Sequence, residues 1–183
     1  MHCTIHTRGY WLGSEDLPHK RDEAVVDTLA DILAGKTVVD LGCGDGFYVR
    51  ALGDRLNIHG FDGNPNTQEV AGDLCGVADL TEESFDVGQY DAVLCVEVGE
   101  HIPDEYEATV IRNIVKTARD MIVITWAQPG MSGHGHVNCQ YTDTIRRKFQ
   151  EYGFACDDAA TALLRFSGQT PWFKLNSLVL RKE

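Results

Sequence analysis

Basic residues are scarce in this 183-residue chain: 16 Lys and Arg stand against 28 Asp and Glu, a formal net charge of −12. That balance disfavours a broad phosphate-binding surface, because nucleic-acid affinity comes largely from Lys and Arg; only a local basic patch stays open. No run approaches the roughly 18 apolar residues of a membrane span. His2, His6 and Arg8 interrupt the start of the chain, so neither a membrane segment nor a secretory leader is expected. The six cysteines (Cys3, Cys43, Cys75, Cys95, Cys139 and Cys156) include no CxxC pair. Several sit in apolar runs, as buried thiols do, and are read as reduced, in keeping with a cytoplasmic protein. Repeats and low-complexity linkers are missing too, and the length suits one domain over residues 1–183.

What is present begins at Val38-Val39-Asp40-Leu41-Gly42-Cys43-Gly44-Asp45-Gly46. An apolar run stops at three alternating glycines, and an amphipathic segment follows, about Phe47 to Leu56. The pattern predicts a buried parallel strand, Thr37 to Leu41, entering a turn where side chains would block a ligand's approach to the backbone. The helix after it offers free N–H groups to a polar or anionic group. A second strand-like run, Ile58 to Asp62, ends in a carboxylate about 18 residues past Gly44. An acid at that distance accepts the ribose hydroxyls of an adenosine-containing ligand in dinucleotide folds. The plain alternative is a tight turn followed by a strand that happens to end in Asp62.

The loop reads DLGCGDGFY rather than GxGxxG, with Asp40 before the turn and Asp45 inside it. Two carboxylates repel a pyrophosphate and suit a cationic amino-acid tail. With this motif the chain resembles the class I S-adenosylmethionine-dependent methyltransferases, over roughly Asp22 to Lys182. The resemblance implies S-adenosyl-L-methionine as cofactor, cradled by Gly42, Cys43, Gly44 and Gly46. Asp40 would face its ammonium group, and Asp62, followed by Gly63 and Asn64, its ribose. Asp79 and Leu80, after the third strand, would meet the adenine edge, with Asp73 a competitor for that role.

Along the chain, apolar patches alternate with helical patterns, which predicts an α/β fold with a mostly parallel sheet. Helices are expected at about Arg21 to Leu33, Asp104 to Arg119 and Tyr141 to Tyr152. Strands are expected near 37–41, 58–62, 74–78, 91–96 and 121–126, and in the tail at Ala160 to Phe166 and Ser177 to Arg181. The family resemblance makes this a Rossmann-like, doubly wound, seven-stranded sheet with helices on both faces and the last two strands as an antiparallel hairpin.

In such a sheet ligands bind beyond the carboxyl ends of the strands. Cys95-Val96-Glu97-Val98-Gly99-Glu100-His101-Ile102-Pro103 lies at one such end. Two carboxylates and an imidazole this close must be hydrated, paired or bound to a cation. The stretch resembles the E-x-x-E-H-[IV]-P segment of many small-molecule methyltransferases. In two branches, the small-RNA 3′-end 2′-O-methyltransferases and the ubiquinone-pathway O-methyltransferases, a similar segment and a later histidine bind a divalent ion. By that resemblance Glu97, Glu100, His101 and His136 are candidate ligands, with magnesium preferred and manganese, zinc or iron as alternatives. Without a metal, Glu97 would pack under the cofactor and Glu100 cap the next helix, while His101 or His136 serves as general base or as a structural imidazole. His134 competes with His136, which is favoured because His136-Val137-Asn138 resembles a stretch common in the family.

The N-terminal segment, residues 1–20, is expected by the same resemblance to fold over the active site. Tyr10 and Trp11 would then stack on the substrate or cover the sheet, and Trp126, after the fifth strand, is another candidate wall. His19 and Lys20 are near enough in sequence to approach the cofactor, with nothing in their spacing to place them. The expected activity is methyl transfer from S-adenosylmethionine to an oxygen or nitrogen of a small molecule. A metal-assisted RNA 2′-O-methyltransferase and a non-catalytic, cofactor-binding regulatory protein are the alternatives.

Overall fold

The computed structural model of the chain describes residues 4–13 and 19–183. Cys3 and parts of the expected N-terminal cover, residues 1–3 and 14–18, lie outside the described residues. Two short strands, β1 (Thr4–Ile5) and β2 (Trp11–Leu12), pair antiparallel. A 3-10 turn, Glu23–Val25, leads into α1 (Val26–Ile32), followed by β3 (Thr37–Leu41), α2 (Phe47–Leu52), β4 (Asn57–Asp62), α3 (Thr67–Ala71) and β5 (Cys75–Val77). Then come β6 (Tyr90–Val96), a 3-10 turn at Gly99–His101, α4 (Asp104–Thr117), β7 (Ala118–Thr125) and α5 (Thr142–Gln150). The chain closes with β8 (Phe154–Cys156), α6 (Asp158–Ser167), α7 (Pro171–Asn176) and β9 (Leu178–Lys182).

The seven-stranded sheet runs β5-β4-β3-β6-β7-β9-β8. Strands β3 to β7 are parallel wherever they pair; β9 is antiparallel to both β7 and β8. From β3 the chain moves outward one way through β4 and β5, then returns to place β6 and β7 on the other side. The reversal between β3 and β6 leaves a crevice at their carboxyl ends.

Apolar residues alternate between two cores because successive strand side chains point to opposite faces. Val38 packs with Leu29, Leu52 and Phe173 on one face, whereas Val39 and Leu41 pack with Ile111, Ile114 and Phe149 on the other. Burial on both faces is why the parallel strands read as continuous apolar runs. Among the described residues, no helix is long and apolar enough to cross a membrane.

The expected strand at Ala160 to Phe166 is a helix, α6, and the antiparallel pair is made by β8 and β9 instead. Asp157 caps that helix by accepting from Ala160 N–H at 3.0 Å, and Ala159, Ala160, Ala162, Leu163 and Leu164 are strong helix formers. An apolar run without clear alternation does not separate the two states. The helix α7, opened by Pro171 at its first turn, and the β1-β2 pair had no counterpart in the sequence reading.

Candidate active site

The turn after β3 is held by its neighbour strand. Gly42 and Cys43 N–H both donate to Phe61 O, at 2.7 and 3.1 Å. Gly44 N–H donates to Asp62 Oδ2 at 2.9 Å, and Asn64 N–H to Asp62 Oδ1 at 2.9 Å. Gly42 and Gly44 have φ of +78° and +55°, a region that side chains rarely adopt. A side chain on Gly42 would overlap Val98, and one on Gly44 would lie 2.7 Å from His19 Cε1.

This turn forms one wall of a cavity of about 630 Å³, a volume within the ordinary range for small-molecule sites. Asp40 sits in its wall at only 2% exposure. Burial, with Cys75, Asp62 and Asp45 nearby, raises the Asp40 carboxyl well above the usual range. Burial also raises Asp62, against the backbone N–H bonds it accepts. Both groups therefore gain from a ligand that brings positive charge or hydroxyl donors.

Gly63, Asn64, Asp79, Leu80, Glu97, His101, His136, Tyr10 and Trp11 also line the cavity, so the fold brings most of the sequence-predicted residues together. Asp79 is already engaged: Oδ1 accepts from Thr81 N–H at 2.8 Å and its hydroxyl at 2.6 Å, and Oδ2 pairs with Arg8 at 2.9 Å. Burial acts to raise Asp79, but Thr81 and Arg8 outweigh it and hold the carboxyl below its usual range. Arg8 pairs with Glu82 as well. Nothing in the sequence pattern points to Arg8, which is 71 residues from its partner Asp79. Met131 and Trp172, which also line the cavity, were likewise not anticipated.

Three predicted residues stand behind the wall. Gly46 ends the turn beside Ala71. Trp126, expected as a wall, is a core residue at 2% exposure, with Nε1 donating to Asn138 O at 2.7 Å. It packs so closely on Gly99 that a side chain there would overlap its ring. Glu100 is fully buried, and among the described residues neither of its carboxylate oxygens has a hydrogen-bond partner. Burial first and Glu97 second push Glu100 well above the usual carboxylate range. Glu97 itself is raised by burial and has φ of +54°, the one described residue other than glycine in the left-handed region. Backbone strain of that kind collects at functional sites.

Ligand atoms of Glu100, His101 and His136 all lie within 4.8 Å of one another. His136 Nδ1 is 3.0 Å from Met131 O; in the tautomer where it donates, Nε2 keeps a free lone pair. His101 meets His136 edge-on at 4.9 Å. Burial, followed by the charge of His136, lowers His101 to about 4, so it stays neutral at pH 7. The arrangement supplies one orphaned carboxyl and two imidazoles, a set that suits a divalent cation or proton transfer. Glu97 stands beside this group rather than within it.

Above the cluster, Trp11 meets His101 at 5.4 Å and His134 at 5.9 Å, both edge-on. Tyr10 packs on Gly63, where a side chain would lie 2.6 Å from its Cγ. Asn64 Nδ2 donates to Gly13 O at 2.7 Å, tying the loop after β4 to the N-terminal segment.

Comparison with known proteins identifies the family of the chain. A family model described as a methyltransferase domain matches residues 15–159. The ubiquinone biosynthesis O-methyltransferase of Acinetobacter baumannii is 31% identical over 144 residues, covering 71% of this chain and 52% of that protein. The chain thus spans about half the length of that curated relative. Among solved structures, a sugar N-methyltransferase from Streptoalloteichus superposes with a TM-score of 0.69 at 14% identity over 100% of both chains. The magnesium protoporphyrin IX methyltransferase of Synechocystis, with bound S-adenosylhomocysteine, gives 0.59 at 20% identity, covering 86% of this chain and 82% of that one. At such identities the two structures speak for the fold alone.

Proposed function

The chain belongs to the class I S-adenosylmethionine-dependent methyltransferases, and from that premise we propose that it methylates an oxygen or nitrogen of a small molecule. The observation that carries the proposal is the glycine turn, set between Asp40 and Asp62 and opening into a cavity that ends at His101 and His136. The O-methyltransferase name of its relative supports an oxygen acceptor. A small acceptor also suits the net charge of −12 and a cavity whose Arg8 and Arg21 are engaged with Asp79, Glu82 and Asp45.

In this reading Asp40 takes the donor's ammonium group, Asp62 its ribose hydroxyls, and Asp79 with Leu80 the adenine edge. Tyr10 and Trp11 wall the acceptor. An acceptor lone pair attacks the methyl carbon as the bond to sulfur breaks, and the sulfur leaves as a neutral thioether. The acceptor's proton passes to His136 Nε2. Since the sulfonium already activates the methyl group, alignment supplies most of the rate.

A second reading rests on the orphaned Glu100 carboxyl beside His101 and His136. These three, with Glu97 next to them, would hold a divalent ion such as magnesium, which lowers the pKa of a bound hydroxyl. Chelation separates the two: turnover unchanged by EDTA leaves His136 acting alone, and turnover lost to EDTA and restored by magnesium assigns the cluster to the ion. The parent proposal is tested with donor labelled in its methyl group, offered with phenols, hydroxy acids and amines. Label should appear in one of these classes. Failure of the purified protein to bind either the donor or S-adenosylhomocysteine would overturn it.

A further inference from the structure

Asn138 follows His136 by two residues and is buried, at 5% exposure. Each of its polar groups has a protein partner. Its N–H donates to Glu100 O at 2.9 Å, beside Val137 N–H at 2.8 Å on the same oxygen. Its carbonyl accepts from Trp126 Nε1 at 2.7 Å. The side-chain Nδ2 donates to Glu107 Oε2 at 3.0 Å, and Oδ1 accepts from Gln140 Nε2 at 2.9 Å. Gln140 Nε2 also reaches Glu107 Oε2, at 3.0 Å.

Glu107 belongs to α4, 31 residues from Asn138, and its side chain is largely buried. Its Oε1 pairs with Lys148 of α5. One carboxylate therefore joins α4, α5 and the segment after β7. Hydrogen bonds to a charged acceptor are stronger than neutral ones, and a buried network with every member paired is rigid. This network governs the approach of two loops. The segment carrying His136 is fastened to Glu100 O, next to His101, so the edge-on contact of the two imidazoles at 4.9 Å is fixed from behind by Asn138. On the ring itself, Nδ1 lies 3.0 Å from Met131 O, a contact that survives only where the backbone places the ring correctly.

We propose that Glu107 is a positioning residue for His136: by clamping the Asn138 amide it sets the backbone that carries the imidazole, and with it the tautomer that leaves Nε2 its lone pair. Its part in methyl transfer rests on the reading of His136 as the base; the placement of the ring does not.

The test is a long-range proton–nitrogen spectrum of histidine-labelled protein at one fixed pH, with the His136 signal identified by its loss in His136→Ala. Wild type should show His136 as a single Nδ1–H tautomer. Glu107→Ala and Asn138→Ala should show a mixture, while Glu107→Gln, which keeps a carbonyl oxygen for the Asn138 amide and loses the ion pair with Lys148, should keep the wild-type pattern. His59, on β4 at the opposite end of the sheet, should be unchanged in all and so reports on global folding. With whichever of the phenol, hydroxy acid or amine probes takes label, Glu107→Ala should turn over about tenfold or more slowly, with donor affinity within about twofold of wild type. An unaltered His136 signal or turnover in Glu107→Ala overturns the proposal. So does a change shared by His59, or a Gln variant that behaves like Ala, since either makes Glu107 a scaffold residue. A wild type that binds neither donor nor S-adenosylhomocysteine removes the methyl-donor reading, and the spectra still decide whether Glu107 sets the ring.

Discussion

Gly44 N–H donates to Asp62 Oδ2 at 2.9 Å, tying the glycine turn after β3 to the carboxylate that ends β4. Asn64 N–H occupies the other oxygen at 2.9 Å. Asp62 is therefore held in one orientation before any ligand arrives, with lone pairs left on both oxygens. Asp62→Ala should weaken the donor roughly 30-fold or more, about 2 kcal/mol, because charged hydrogen bonds are lost. Calorimetry on the ligand-stripped protein checks this, and affinity equal to wild type would remove Asp62 from the ribose site.

His136 lines the same cavity. His136→Ala should leave donor affinity within about twofold while lowering turnover by about a hundredfold or more, the usual contribution of a general base. Single-turnover kinetics at saturating donor separates that outcome from a binding defect. A parallel fall in donor affinity would place His136 in the cofactor site instead.

Gly99 and Trp126 are packed without room for a methyl group between them. Gly99→Ala should cost about 1–3 kcal/mol, as overpacked core positions do. Glu100 and His101 follow in the same turn, so turnover should fall as well. Urea unfolding gives the first quantity; an unchanged midpoint would mean that the Trp126 ring is free to move aside.

Asp22 joins the chain's two ends: Oδ2 accepts from Gln169 N–H, Thr170 N–H and the Thr170 hydroxyl, each at 2.7 Å, and Oδ1 from Ala24 N–H at 3.2 Å. Burial acts to raise Asp22, but these donors outweigh it and hold the carboxyl below its usual value. A lowered folded pKa stabilises the protein above the unfolded carboxylate value, about 4, and that stability is lost as pH falls through the folded value. Asp22→Ala should cost about 1–3 kcal/mol at pH 7, and the gap to wild type should shrink below about pH 4. A gap independent of pH would show that the carboxylate charge contributes nothing.

The strands β3, β4 and β6, the glycine turn and the acids Asp40 and Asp62 were all legible in the amino-acid order. Their signals are local: an apolar run buried on two faces, a turn that only glycine fits, and a carboxylate at a set spacing. The strand expected at 160–166 failed for the opposite reason, since an apolar run with no clear alternation is compatible with either state until its packing is known. Tertiary structure alone decided that Arg8 meets Asp79, that Trp126 is buried while Trp11 lines the cavity, and that His19 lies over Gly44. These contacts join residues far apart in sequence, set by how the segments pack rather than by any local preference.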